Sequence, residues 1–212
     1  MLTSKAARPS AASSSFRNRR GERVIGRRIA VYGPSGSGKS TFARTLGELL
    51  DLPVVELDAL FHKPDWQPTP VDEFKATVLD LLGRHRNGWV CDGNYRIIRQ
   101  HVLPRADDVV WLRLPFSTVF PRLFLRTVTR AWSQEPLWGT NYESWRLAFL
   151  SRDSILLWGI SHWRAHHRNF ERDLRGIRHS ADVHTLRSPL EVERFLGSLK
   201  SGAGHASAAA SS

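Results

Sequence analysis

The sequence predicts a three-layer α/β fold, with helices on both faces of a parallel five-stranded sheet. Short apolar runs alternate along the chain with stretches of helical period, the pattern of parallel strands joined by crossover helices. Residues 33–40 read Gly-Pro-Ser-Gly-Ser-Gly-Lys-Ser, a complete G-x-x-x-x-G-K-[ST] phosphate-binding loop, set between one such run and one such stretch. Acidic residues close two further apolar runs, at the strand ends where open parallel sheets take their ligands.

In chain order, Arg28-Ile-Ala-Val-Tyr32 reads as a buried strand, and a helix follows the phosphate loop from about Thr41. Leu52 to Leu57 is the second strand, ending at Asp58. A Pro- and Trp-bearing loop, Leu60 to Pro70, leads into an amphipathic helix from about Val71 to His85, so residues 59–86 form an insert. Gly88 to Cys91 is the third strand and runs into Asp92-Gly-Asn-Tyr95. The helix from Arg96 to Leu103 stops at Pro104, which cannot continue it. Asp108 to Leu114 is the fourth strand, and Pro115 opens a helix to about Ala131. After a loop over 133–141, a long helical run extends from about Glu143 to Arg175. Asp182 to Leu186 is the fifth strand, and Pro189 opens a last helix to about Leu199.

A chain of 212 residues suffices for one well-buried domain, here 28–200, with tails on either side. Residues 1–27 are rich in Ser, Ala and Arg without hydrophobic periodicity, and are expected to be disordered. Such an acid-poor leader also has the composition of an organelle transit peptide. Residues 201–212, Gly/Ala/Ser-rich, are expected to be disordered too. The net charge of +11 is uneven: residues 1–28 carry +7, 29–112 carry −2, and 113–178 carry +6. The excess therefore belongs to the tail and one internal segment. A single cysteine, Cys91, excludes a disulfide framework and, inside an apolar strand, reads as a buried inert thiol. No stretch approaches the length of a membrane-spanning helix, so a cytoplasmic protein is expected.

The chemistry starts at the loop. Gly33, Pro34, Ser35, Gly36, Ser37, Gly38, Lys39, Ser40 and Thr41 are the ATP-binding candidates. Backbone N–H groups at Gly36 and Gly38 would wrap phosphate oxygens, with the following helix N-terminus facing the same charge. Lys39 would reach the β- and γ-phosphates, and the Ser40 hydroxyl would hold Mg²⁺. Asp58 and Asp92 follow the second and third strands; each could simply cap the next helix, but both aim at the rim that carries the loop. Arg122, Arg126 and Arg130 lie four apart on one helix face, which suits a lid over 122–145 that neutralises a transferring phosphoryl group. Trp145 and Trp158 are better read as core, and His162, His166 and His167 as a polar, basic helix face.

With these residues in place, the chain resembles the small P-loop kinases, a superfamily that includes adenylate, shikimate and gluconate kinases. It is most similar to the adenylate-kinase-like DNA-topology-modulation (FlaR-like) proteins. The resemblance covers about residues 28 to 198 and rests on four runs. They are Gly33–Ser40, Leu57-Asp-Ala-Leu-Phe61 with Trp66 following, Trp89-Val-Cys-Asp-Gly-Asn-Tyr95, and Leu137–Trp145. It implies a P-loop kinase fold with a helical, acceptor-binding insert and an Arg-bearing lid. On that template Asp58 orients or deprotonates the acceptor, Asp92 organises Mg²⁺ through water, and Arg126 and Arg130 are lid arginines. Trp66, Asn94 and Arg99 fall on the acceptor side, and Arg187 resembles the start of the loop against the adenine. Arg113 stands where many relatives end the fourth strand with Asp.

The expectation is an ATP- and Mg²⁺-dependent kinase, with Lys39, Asp58, Arg126 and Arg130 as catalytic residues and a small molecule or nucleotide as acceptor. Two alternatives stay open. One is an ATP-dependent regulator bound to DNA through the basic tail, although no helix-turn-helix, zinc finger or stacking platform is evident. The other is a P-loop ATPase, against which Asp92 is followed by Gly93 and not by the usual second acid.

Overall fold

The computed structural model describes residues 15–17, 22–133, 163, 167–175 and 181–209. The Leu137–Trp145 motif, Trp138, Trp158, His162, His166 and most of the long helical run lie outside the described residues.

The five expected strands all form. They are β3 (Arg28–Tyr32), β4 (Val54–Glu56), β5 (Trp89–Asp92), β6 (Asp108–Leu112) and β7 (Asp182–Leu186). They make one parallel sheet in the order β4-β5-β3-β6-β7. Ile29 and Val31 of β3 point to one face, and Ala30 and Tyr32 to the other, as the two-residue strand period requires. Both faces are apolar because both are covered, the usual state of a parallel sheet. Ile29 and Val31 pack with helix α1 (Lys39–Leu50) and helix α7 (Pro189–Ala209) through Phe42, Leu46, Leu50 and Leu199. Ala30, Tyr32, Trp89 and Trp111 pack with helices α3 (Val71–Arg84), α4 (Arg96–Val102) and α6 (167–175) through Phe74, Val78, Ile98 and Phe170. Cys91 is buried in that second layer, and burial pushes its thiol far up, as expected of an inert cysteine.

Two segments differ from the sequence reading. Strand β4 ends at Glu56, because Leu57–Phe61 forms a short helix, α2, that puts Asp58 in its first turn. The loop that follows is shaped by a 3₁₀ turn, Pro64–Trp66. At the other end, part of the segment expected to be tail belongs to the fold. Phe16–Arg17 (β1) and Arg23–Ile25 (β2) pair as an antiparallel hairpin, and Ile25 is fully buried. The cause lies at the start of β6, where two carboxylates need donors. Asp108, with no exposure, accepts from the Gly26 N–H at 2.6 Å and from Arg23 at 2.7 Å, and its other oxygen meets His184 at 2.8 Å. Asp107 accepts from the Arg27 and Arg28 N–H groups. The Val24-Ile25-Gly26 run that supplies this docking is too short for a periodicity test amid Ser and Arg. Helix α7 likewise continues to Ala209, past the expected boundary at 200.

Candidate active site

Residues 33–38 link β3, the central strand, to α1. Gly36 (φ 85°) and Gly38 (φ 84°) both take the left-handed conformation that side chains disfavour. A Cβ on Gly36 would also lie 2.8 Å from the Val119 carbonyl, whereas at Gly38 only the backbone angle demands glycine. Gly38 caps α1, so the helix begins at Lys39 with its first N–H groups turned towards the loop. The Asn94 side chain braces the loop's first residue: its Oδ1 accepts from the Gly33 N–H at 3.2 Å, and its Nδ2 donates to the Gly33 carbonyl.

The strand order decides what surrounds the loop. On the β4–β5 side, Glu56 and Asp92 are register partners at the rim, and Asp58, His62, Trp66 and Tyr95 follow from the segments beyond. On the β6 side, helix α5 (Phe116–Ser133) brings Arg122, Arg126 and Arg130. Between them Ser35, Gly36, Gly38, Lys39, Ser40, Thr41 and Arg44 complete one cleft of about 660 Å³.

Its electrostatics are uneven. Asp92 is 4% exposed, and one of its carboxylate oxygens has no hydrogen-bond partner. Burial raises its pKa above the ordinary Asp value; Lys39 and a Ser40 hydrogen bond pull it down, while Asp58 and Glu56 push it up again. The folded chain therefore holds this proton more tightly than the unfolded chain, and its contribution to stability falls as pH rises from 3.8 towards the raised value. Tyr95 is raised by burial and by Asp58, and His62 is lowered by burial, with Asp58 opposing. The Tyr95 hydroxyl and His62 Nε2 are 3.3 Å apart.

Among the described residues no three His, Cys, Asp or Glu side chains form a metal cluster. The donor set nevertheless fits Mg²⁺, which binds through one or two carboxylates, phosphate oxygens and water. The orphaned Asp92 oxygen beside Lys39 and Ser40 is the observation that favours it. Exchanging Asp92 for Asn is expected to stabilise the ligand-free chain at neutral pH by about 1 kcal/mol in denaturant titration. A variant less stable than the parent at neutral pH would contradict the burial argument.

No protein-family model matches the sequence, and no curated protein matches it. Solved structures do. The shikimate kinase from Acinetobacter baumannii, in complex with shikimate, is 16% identical with a TM-score of 0.50, over 81% of this chain and 89% of that one. The chain shares with that structure its α/β fold of five parallel strands between helical layers. The shikimate kinase from Bacteroides thetaiotaomicron (15% identity, TM-score 0.48) covers 82% of this chain and 96% of its own. A gluconokinase from Sinorhizobium meliloti 1021 (18%, TM-score 0.44) covers 84% and 92%.

Within this fold, Lys39, Ser40, Asp58, Trp66, Asp92, Arg126 and Arg130 share the cleft, as do Ser35, Gly36, Gly38 and Thr41. Gly33, Pro34, Ser37, Asn94, Arg99 and Arg187 do not line it. Asn94, expected on the acceptor side, is instead the brace behind the loop. Arg99, 6% exposed, pairs with Asp173, donates to the Asn94 carbonyl at 3.1 Å and lies over the Phe170 ring, so its charge is spent inside the fold. Arg187 donates its backbone N–H to Glu191 and lines a separate recess with Arg113 and Glu171. Arg113 itself pairs with Glu171 at 3.2 Å.

Besides His62 and Tyr95, sequence reasoning missed two lining residues, Arg44 and Glu56. Both carried a signal. Arg44 lies four residues after Ser40, hence on the same face of α1, and Glu56 stands two residues before Asp58.

Proposed function

We propose that the chain is an ATP-dependent phosphotransferase that moves the γ-phosphoryl group of ATP to a small-molecule acceptor. One observation carries the reading: Lys39, Asp58, Asp92 and the Arg126/Arg130 pair line a single cleft around the phosphate loop. The loop N–H groups and Lys39 hold the β- and γ-phosphates. Asp58 orients the acceptor hydroxyl and takes its proton as the oxygen bonds to the γ-phosphorus. The bond from that phosphorus to the bridging oxygen breaks, and ADP leaves with the electron pair. Arg126 and Arg130 neutralise the charge spread over the equatorial oxygens of the loose transition state. Ser40 and, through water, Asp92 would hold Mg²⁺, which supplies further charge neutralisation at the phosphates when bound. The lid expected over 122–145 extends beyond the described residues, among which α5 carries Arg122, Arg126 and Arg130. The finer kinship with the adenylate-kinase-like topology-modulation group rests on the Leu57–Phe61 and Trp89–Tyr95 motifs.

The test follows the label. The chain is incubated with Mg²⁺, ATP labelled at the γ-phosphoryl group and a small-metabolite extract. The label is expected in an organic phosphate. Label released only as inorganic phosphate would make the chain an ATPase, and release stimulated only by DNA would favour the DNA-bound alternative.

A further inference from the structure

The phosphotransferase reading is the basis for naming the acceptor's chemical class. The strand order divides the cleft electrically. The β6 side carries Arg122, Arg126 and Arg130, and the loop between carries Lys39. The β4–β5 side carries Glu56, Asp58 and Asp92. Among the described lining residues beyond the loop on that side, the cation is Arg44, and Glu56 already holds it by two bonds, Nε–Oε1 at 2.7 Å and Nη2–Oε2 at 3.2 Å. A carboxylate or phosphate on the acceptor would meet acidic groups there, with the one guanidinium occupied. Like charges brought together there repel, and the more strongly the less water lies between them.

The same side is built to receive a ring. His62 and Trp66 meet edge to face at 5.3 Å, and the Tyr95 ring sits on the Phe61 and Phe74 rings at 4.5 and 5.2 Å. Asp65 and Trp66 both have φ 58°, a left-handed backbone that an aromatic residue adopts only when its surroundings hold it there. The hold is visible: Lys63 N–H donates to the Gln67 carbonyl at 2.8 Å, and Thr69 N–H to the Phe61 carbonyl at 2.8 Å, closing the loop behind Trp66. Strain kept at a cleft wall points to a fixed surface for a bound molecule.

We infer that the acceptor is an uncharged ring alcohol, a sugar either free or carried in a nucleoside, with one hydroxyl on Asp58 and its ring against Trp66. The apolar face of a sugar and the flat face of a base both stack on such a wall, and hydroxyl groups suit Asp58, His62 and Tyr95 as partners.

The experiment offers the full chain, ATP and Mg²⁺ two groups of acceptors, reading ADP release and the mass of the product. The uncharged group is ribose, glucose, adenosine and cytidine; the charged group is gluconate and shikimate. At least one uncharged compound is expected to give kcat/KM roughly tenfold or more above either carboxylate, and the sugar and nucleoside arms separate the two sources. Trp66→Ala is expected to raise KM for that compound about tenfold while KM for ATP stays unchanged. Glu56→Gln, which frees Arg44, is expected to raise activity towards gluconate. Gluconate or shikimate preferred by the parent chain overturns the inference alone. ATP bound without transfer to either group overturns the phosphotransferase reading together with it.

Discussion

Replacing Lys39 by alanine is expected to lower kcat by roughly 10³-fold, the size of loss that follows removal of one preorganised charge from a transition-state site. Lys39 is 9% exposed at the first position of α1 and lines the cleft, so its charge is held at the phosphate loop. ATP affinity is expected to fall far less, because the loop N–H groups and the α1 N-terminus remain. Single-turnover transfer and ATP titration, measured side by side, separate the two effects. Turnover above a tenth of the parent's would remove Lys39 from the transition state.

Asp58→Asn is expected to cut transfer by about 10³-fold while leaving the dissociation constant for ATP unchanged. Asparagine keeps the volume and much of the hydrogen bonding in the first turn of α2, but it cannot accept a proton from the acceptor. The effect should therefore appear in kcat more than in KM for either substrate. Retained transfer in this variant would assign the proton to another group in the cleft.

The phosphate-loop half of the candidate site was legible because it is local. Gly33 to Ser40 is one continuous motif, and its strand and helix flank it directly. Asp58 and Asp92 were legible through the rule that parallel sheets bind at their C-terminal rim, and the Arg122/Arg126/Arg130 row through helical spacing alone. Fates set by distant partners were not. Arg99 reads as an available guanidinium until α6 brings Asp173 to it, a separation of 74 residues. The Asn94 amide reads as an acceptor contact until β5 and β3 lie side by side and present it to Gly33. Arg44 and Glu56 each had the right period, yet their pairing depends on α1 lying beside β4. The hairpin of β1 and β2 was hidden because its docking combines ionic contacts with a few scattered apolar residues, Phe16, Val24 and Ile25, and composition alone reads such an arginine-rich stretch as tail.

That hairpin sets a practical boundary for anyone cutting the chain. Its Arg23 and Gly26 supply donors to Asp108, a carboxylate with no access to solvent, and Arg23 bridges onward to Asp182. A truncation after residue 27, the natural choice for removing the basic leader, would leave that carboxylate without its Arg23 and Gly26 donors, with His184 still on its other oxygen, and would loosen β6 and β7 at their first residues. Loss of DNA binding in such a protein would then report damage to the sheet and not the absence of a basic arm. A cut before Phe16 keeps the clasp closed, and is the trimming that lets the leader and the folded domain be judged apart.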